Sequence, residues 1–326
     1  MKNEVAALGE LLIDFATQHT DDKGYPTMKA NPGGAPANFL AALSKYGRST
    51  GFIGKVGDDT FGKLLIGTLE SANIDTRGIV MDQECYTTLA FVTFDDQGNR
   101  SFSFARKPGA DTRLRWEEVD TEMIDECRVF HFGTLSLTDE PARGATREAV
   151  AYARKAGKLV SFDPNLRLPL WKTPETAKKQ ILWGLGQADV VKISDEEVEF
   201  LWGCDPAQGM ERLLHEFDLS LVMVTLGPKG CFIGNQNGTA MVSPPPVEPV
   251  DTTGAGDIFG GSAMSRLLSA DKRPDQLTVL EMEGVARFAV AAASLSTQKL
   301  GGIPSIPEEQ EVWDLIDSQS AKDSGV

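Results

Sequence analysis

The sequence predicts an α/β fold: a doubly wound, mostly parallel sheet with helices on both faces, plus a small antiparallel β lid. Three observations predict it. From Val129 onward, short apolar runs alternate with amphipathic segments of helical length, the pattern of successive βα units. From about Val80 the texture changes to strict alternation on both sides of a DDQGN turn, which reads as an antiparallel hairpin. Near the C-terminus, DTTGAGD sets Gly254 and Gly256 just ahead of an apolar, Ala/Ser-rich run that reads as a helix start.

The chain opens on VAALGELLIDFA, a core strand broken by Gly9 and Glu10 and ending near Asp14. An acid at the end of an apolar strand is where α/β folds place ligand contacts, with a strand-end cap as the plainer reading. In NPGGAPANFLAALSKYG, Gly33 and Gly34 precede a helix that starts near Ala35, with Pro36 in its first turn. Adjacent glycines permit close approach of backbone to a ligand. Asn38, near that turn, carries an amide that donates to and accepts from hydroxyls, which suits a polyol; capping is the alternative. STGFIGKVGDDTFG is a strand leaving through Gly54, Gly57 and Asp58 into a helix through Leu64 and Leu69. In the hairpin, Leu89, Phe91 and Thr93 alternate with Ala90, Val92 and Phe94. Phe102 and Phe104 then oppose Ser101 and Ser103. An inserted antiparallel sheet suggests a lid or a dimer surface. Arg106, just past it, either reaches over a bound substrate or ends the strand in solvent.

The βα series runs through RVFHFG (strand), ARGATREAVAYARKAG (helix), LVSFDPNLR (strand with a turn at 163–165), a helix over about 174–185, and ADVVKIS (strand). DEEVEFLWG is a short acidic helix, LSLVMVTLG a fully apolar strand of parallel type, and PKGCFIG with TAMVS a hairpin. PPPVEPV is an extended connector into DTTGAGD. Helices over about 262–269 and 279–297 and a last surface helix in EEQEVWDLID complete the chain.

Composition narrows the function. The 326 residues are 41% hydrophobic and 24% charged, as in an ordinary soluble protein. A net charge of −15 argues against general nucleic-acid binding, which needs a basic face. An anionic ligand must therefore be held by local dipoles, a few basic side chains and a metal ion. Cys85, Cys127, Cys204 and Cys231 form no CxxC pair and read as reduced cytoplasmic thiols. No apolar run approaches a membrane span. His19, His131 and His215 match no metal spacing and read as structural.

The chemistry concentrates at DTTGAGD. A glycine-rich turn opening a helix aims several N–H groups at one point, with the positive end of the helix dipole behind them. A carboxylate at the mouth of an anion hole repels a phosphate unless it acts as a base. Asp257 then takes the proton from a hydroxyl that attacks a phosphoryl group held by those amides. Turn and cap roles for Asp251 and Asp257 are the structural alternative.

Several motifs, in order, resemble the ribokinase/PfkB-type sugar kinases and among them the fructokinases: GGAPANFL, FIGKVGDD, FSFAR with PGAD, SFDPNLRLPLW, SDEE, VTLGPKG and DTTGAGD. The resemblance runs almost end to end. It implies one ribokinase-like domain over 1–326, its lid drawn mainly from about 10–30 and 80–110. It also implies ATP-dependent, Mg²⁺-assisted phosphorylation of a sugar's primary hydroxyl, most similarly fructose to fructose 6-phosphate. Carried over by position, Asp257 is the base and Gly254, Ala255 and Gly256 the anion hole. Asp14, Gly33, Gly34, Asn38, Phe104, Arg106 and Arg167 are sugar-side residues. Lys192, Thr225, Gly227 and Gly230, with Gly256, are nucleotide-side residues. Glu197 holds Mg²⁺ through water. Asp251, Thr253, Gly301 and Ser305 form a loop for K⁺ as an activator. Three departures stand out: Ser194 where the NxxE metal motif has an amide, apolar Val290 beside the adenine, and Ala105 where related lids carry an aromatic. The rivals are a 2-keto-3-deoxygluconate, ribose or nucleoside kinase, whose sugar-acid form would use Arg106 and Arg167, and a non-catalytic sugar-binding homologue. A Rossmann dehydrogenase is disfavoured because the first βα turn lacks GxGxxG. The expected partners are sugar and ATP, without nucleic acid or membrane, in a cytoplasmic homodimer formed through the lid.

Overall fold

The computed structural model describes residues 3–94, 100–270 and 272–323. The main sheet forms from runs buried along their whole length, as strands covered on both faces must be. These are β1 (Val5–Leu8), β4 (Thr50–Gly57) and β8 (Val129–Gly133), joined by β5 (Ile74–Asp82), β9 (Leu159–Asp163), β10 (Val190–Ser194), β11 (Leu221–Thr225), β12 (Cys231–Asn235) and β13 (Gly238–Val242). Their order is β13-β12-β11-β10-β9-β8-β1-β4-β5. The strands from β11 to β5 run parallel, and β12 and β13 add an antiparallel edge.

The sheet is doubly wound because alternate strand residues feed two separate cores. Val5 and Ala7 enter one, Ala6 and Leu8 the other. The first core takes α1 (Ala35–Lys45), α2 (Thr60–Ser71), α8 (Ala255–Ser269), α9 (Val279–Ser296) and α10 (Glu309–Asp323). The second takes α3 (Thr121–Glu126), α4 (Ala142–Lys155), α5 (Pro174–Leu185), α6 (Asp195–Trp202) and α7 (Pro206–Glu216).

A second sheet of four strands has the order β3-β2-β6-β7, with β2 (Leu12–Thr20), β3 (Pro26–Gly33), β6 (Leu89–Phe94) and β7 (Arg100–Ala105). The expected hairpin is β6–β7, in register Leu89↔Ala105 to Phe94↔Arg100. Its DDQGN turn lies outside the described residues. Two expectations need correction. The sheet is not wholly antiparallel, since β2 pairs with β6 in parallel, Ile13 opposite Leu89. Asp14 does not end a core strand either. Gly9 and Glu10 mark the point where the chain leaves the main sheet at β1 and enters the small sheet at β2, so Asp14 sits at the base of the latter, opposite Asn31 and Ala90. The local patterns do not reveal β3, β5, α3 or α7, and they start α8 late. The glycines at 256, 260 and 261 masked its first turns. Phe15 of β2 ties the small sheet to the body, stacking on Phe91 of β6 and meeting Phe61 of α2 edge-on.

Phe162 is fully buried in the second core, its ring 4.7 Å from that of Phe132. A Cβ on Gly184 of α5 would come within 2.4 Å of the Phe162 ring. Phe162→Ala is expected to destabilise the protein by about 3–5 kcal/mol, read from urea unfolding at constant m-value.

Candidate active site

The site lies at the carboxyl ends of the parallel strands, where open α/β sheets bind ligands. After Thr253 the chain turns through Gly254 with φ of 77°, a left-handed geometry that favours glycine, and enters α8 with no side chain capping it. The Ala255 amide reaches the Thr252 carbonyl at 3.3 Å; those of Gly256 and Asp257 find no such acceptor. The first turn thus presents unfilled donors, with Gly256 rather than Ala255 the better placed.

Asp257, in that turn, is half-buried and its Oδ2 accepts from Asn38 Nδ2 at 2.9 Å. Burial raises its pKa; Lys192, Asn38 and Arg167 pull it back down. Asn38 is buried, its Oδ1 has no partner, and that oxygen lies beside Gly302. Turning the amide over would set Oδ1 against the carboxylate, so the donor orientation is the electrostatically sound one.

On the sugar side, Asp14 Oδ2 lies where Gly33 would carry its side chain, 2.2 Å from an added Cβ. Gly34, at φ of 121°, would drive a Cβ to 2.5 Å from the Glu10 carbonyl oxygen. Both glycines are therefore demanded by close approach of backbone and acid. Burial pushes Asp14 up to about 6, opposed by Arg167 and reinforced by Asp257. Arg167, half-buried after β9, bonds through Nη1 to the Leu166 carbonyl at 3.1 Å. It forms no ion pair with either acid. Its charge faces the space between two carboxylates. Phe104 is half-buried on β7, flanked by exposed Ser103 and Ala105.

Arg106 differs from expectation. Rather than ending the strand in solvent, it is buried, with Nε and Nη2 on Asp111 Oδ2 at 2.8 and 2.6 Å, Nη1 on Thr138 Oγ1 and Nη2 on the Leu135 carbonyl, both at 2.8 Å. A guanidinium left short of water takes a buried carboxylate as partner, and here Asp111 supplies it.

On the nucleotide side, Lys192 Nζ pairs with Asp163 Oδ2 at 2.9 Å and lies 3.1 Å from where Gly256 would carry a Cβ. Burial alone would lower Lys192, yet Asp163, Glu197 and Asp257 together raise it, so it stays charged. Burial raises Asp163 to about 6 against the pull of Lys192, so the pair is ionic at neutral pH. Asp163 was not among the expected site residues. Its signal was available, an acid ending the apolar run LVSFD, the same rule that singled out Asp14.

Glu197 is buried and Ser194 caps its helix. Glu197 Oε2 accepts from the Ser194 amide at 2.8 Å and Oε1 from the Leu166 amide at 2.7 Å, while Ser194 Oγ accepts from the Glu197 amide. SDEE is thus a capping box that also ties α6 to the DPNLR loop. Each carboxylate oxygen keeps a second lone pair, which fits a water of a magnesium shell better than direct ligation. Among the described residues no three acidic, His or Cys side chains converge as a ready ligand set. Thr225 ends β11, half-buried. Gly227 opens on empty space, whereas a Cβ on Gly230 would lie 1.9 Å from the Val242 carbonyl oxygen. Gly230 is thereby explained by the β12–β13 hairpin, and Gly227 by its own left-handed φ of 55°.

The four residues expected to hold K⁺ do come together. Asp251 Oδ1 accepts from the Thr253 amide and hydroxyl at 2.9 and 2.7 Å, and Oδ2 accepts from the Gly301 amide at 2.9 Å. Ser305 Oγ donates to the Gly302 carbonyl at 2.8 Å, and Gly302 N–H donates to Thr253 O at 3.2 Å.

A family model for "pfkB family carbohydrate kinase" matches residues 2–309. The chain belongs to the pfkB family of carbohydrate kinases. Within that family it is 40% identical to "Fructokinase-2" of Solanum lycopersicum, covering 96% of this chain and 95% of that one. Among solved structures, fructokinase with bound ATP from Xylella fastidiosa is similar at a TM-score of 0.88, with 31% identity over 98% of this chain and 100% of that chain. A fructokinase from Vibrio cholerae O395, bound to fructose, ADP and calcium, is similar at 0.85, with 31% identity over 97% and 99%. No helix among the described residues is long and apolar enough to cross a membrane.

Asp14 gives a testable linkage. Its folded value, about 6, exceeds the ordinary 3.8, so the folded state binds this proton more tightly than the unfolded chain. Stability therefore falls as pH rises through this window, and the charged form costs stability above about pH 6. Asp14→Asn is expected to stabilise the protein by about 1–2 kcal/mol near pH 8, discounted for partial exposure. In thermal melts the gain should vanish by about pH 4, and sugar binding should weaken.

Proposed function

We propose that the protein is an ATP-dependent fructokinase, forming fructose 6-phosphate with Asp257 as base. The observation that carries this is the Asp257 carboxylate, oriented by Asn38 in the uncapped first turn of α8. A base must be ionised and within reach of both hydroxyl and phosphoryl group, and this turn offers acid and amides together. The fructokinases of tomato and Vibrio supply the sugar, since the chain is similar to them along nearly its whole length.

Asp14 and Asn38 bind sugar hydroxyls, and Gly33 and Gly34 let the ring approach the backbone. Asp257 accepts the proton of the primary hydroxyl as it attacks. The amides of residues 254–256 take up negative charge on the transferring group, and Lys192 lies beside them against the phosphates. Arg167 stabilises ionised Asp14 and Asp257 and steadies the anionic transition state. Glu197 would hold magnesium through a water, and that ion would supply charge neutralisation at the phosphates; the loop of Asp251, Thr253, Gly301 and Ser305 would hold potassium, which would add positive charge near the anion hole. The small sheet closes over the sugar, excluding water, and Phe104 packs against the substrate. Its outer face is the surface for a homodimer, and the cytoplasm is the setting. Thr225 and Gly227 border the nucleotide.

The committed guanidinium of Arg106 favours a neutral sugar over a 2-keto sugar acid, whose carboxylate would find Arg167 but not a second available cation. A panel of fructose, 2-keto-3-deoxygluconate, ribose and nucleosides, followed by ADP release with and without Mg²⁺ and K⁺, tests this. Fructose should exceed the others in kcat/KM; a preference for the sugar acid overturns it. Asp257→Ala should lower kcat by about 10²–10⁴-fold with little change in sugar KM. Because Asp257 is raised, the acid limb of kcat should lie above the ordinary aspartate range, and a limb within that range counts against Asp257 as base. Arg167→Ala should weaken sugar or phosphate handling at unchanged melting temperature.

A further inference from the structure

Glu10 is buried, invariably costly for a carboxylate without partners, and stands outside the mechanism above. The chain crosses between the main and small sheets four times: at residues 9–11, at Gly34, at 83–88 and at 106–109. Two crossings meet at Glu10. Its Oε1 accepts from the Ala35 amide at 2.9 Å, while its carbonyl presses on Gly34 so closely that a Cβ there would stand 2.5 Å away. The other two meet at Asp111, which takes Arg106 on Oδ2 and the Thr88 hydroxyl on Oδ1. A Cβ on Gly109 would lie 1.9 Å from that hydroxyl. The two knots feel each other. Burial pushes the Glu10 carboxyl up to about 7, its own amide, that of Ala35 and the Arg106 guanidinium hold it down, and Asp111 pushes it up. Asp139 also acts on Arg106.

Each element leaving the Glu10 knot carries a sugar-side residue: Asp14, four residues after Glu10 and third in β2, and Asn38 in the first turn of α1. We propose that Glu10 is a positioning residue for the sugar: by fastening the β1–β2 crossing to the amino end of α1, it fixes the distance of Asp14 and Asn38 from Asp257. The assignment rests on the sugar-kinase reading for its substrate, though the knot itself does not. An acceptor is what the Ala35 amide needs, so glutamine should serve in place of glutamate. Alanine leaves a helix-start amide unpaired and both crossings free.

The test compares wild type, Glu10→Gln and Glu10→Ala in steady-state kinetics and hydrogen exchange. Glu10→Ala should raise fructose KM about tenfold or more with ATP KM held within about twofold, and Glu10→Gln should restore most of it. Amides of residues 9–14 and 35–38 should exchange faster in Glu10→Ala and those of β9–β11 should not. Unchanged fructose KM in Glu10→Ala, equal rises in both KM values, or a glutamine variant as impaired as alanine would overturn the proposal. If wild type does not phosphorylate fructose, the fructose reading fails by itself. Exchange then decides the role of Glu10: local acceleration supports it, and unchanged exchange at 9–14 and 35–38 overturns it.

Discussion

The site depends on how closely α1 and α8 approach. Gly260 and Gly261 face Phe39 and Ala42 of α1, and a Cβ on Gly261 would lie 2.3 Å from the Phe39 carbonyl oxygen. Only glycine lets the two backbones touch there. That contact brings Asn38 and Asp257, far apart in the chain, to hydrogen-bonding distance across the helix pair. The same approach sets Gly254 against Asn38 and Gly302. Without it, the carboxylate would have neither a fixed rotamer nor a burial that raises its basicity.

Charge is arranged around this pair in a chain of alternating sign. Asp14, Arg167, Asp257, Lys192 and Asp163 follow one another across the cleft, and each basic group answers to acids on both sides. In a strongly acidic chain the cleft thus carries two basic groups, and the acids around Lys192 keep it charged.

Much of this was legible. Six of the seven parallel strands, the β6–β7 hairpin and the DTTGAGD turn are written in periodicity and glycine placement, which are local signals. The sugar-side glycines were legible as well, and the structure adds the atoms that require them. What escaped reading was long-range. The path of β2 into a second sheet depends on pairing with β6, which no local pattern encodes; only the family resemblance, which drew the lid partly from about 10–30, anticipated it. The enclosure of Arg106 depends on Asp111 and Thr138, on different segments, so strand-end position alone misled. The capping box at Ser194 and Glu197 carried the S-x-x-E signature of a helix start, and the metal motif drew attention away from it. Asp163 was visible by the rule applied to Asp14 and was taken only as a turn.

The parallel pairing of β2 with β6 also bears on how the molecule is assembled. The small sheet is woven from two excursions of the backbone, and its central pair joins Ile13 to Leu89. Between them lie α1, β4, α2 and β5, all anchored in the body. Closing so large a loop early would cost entropy that few contacts repay. That cost favours consolidation of the body's first strands and helices before the two excursions find each other, so the small sheet is expected to complete late in folding, on a floor already laid.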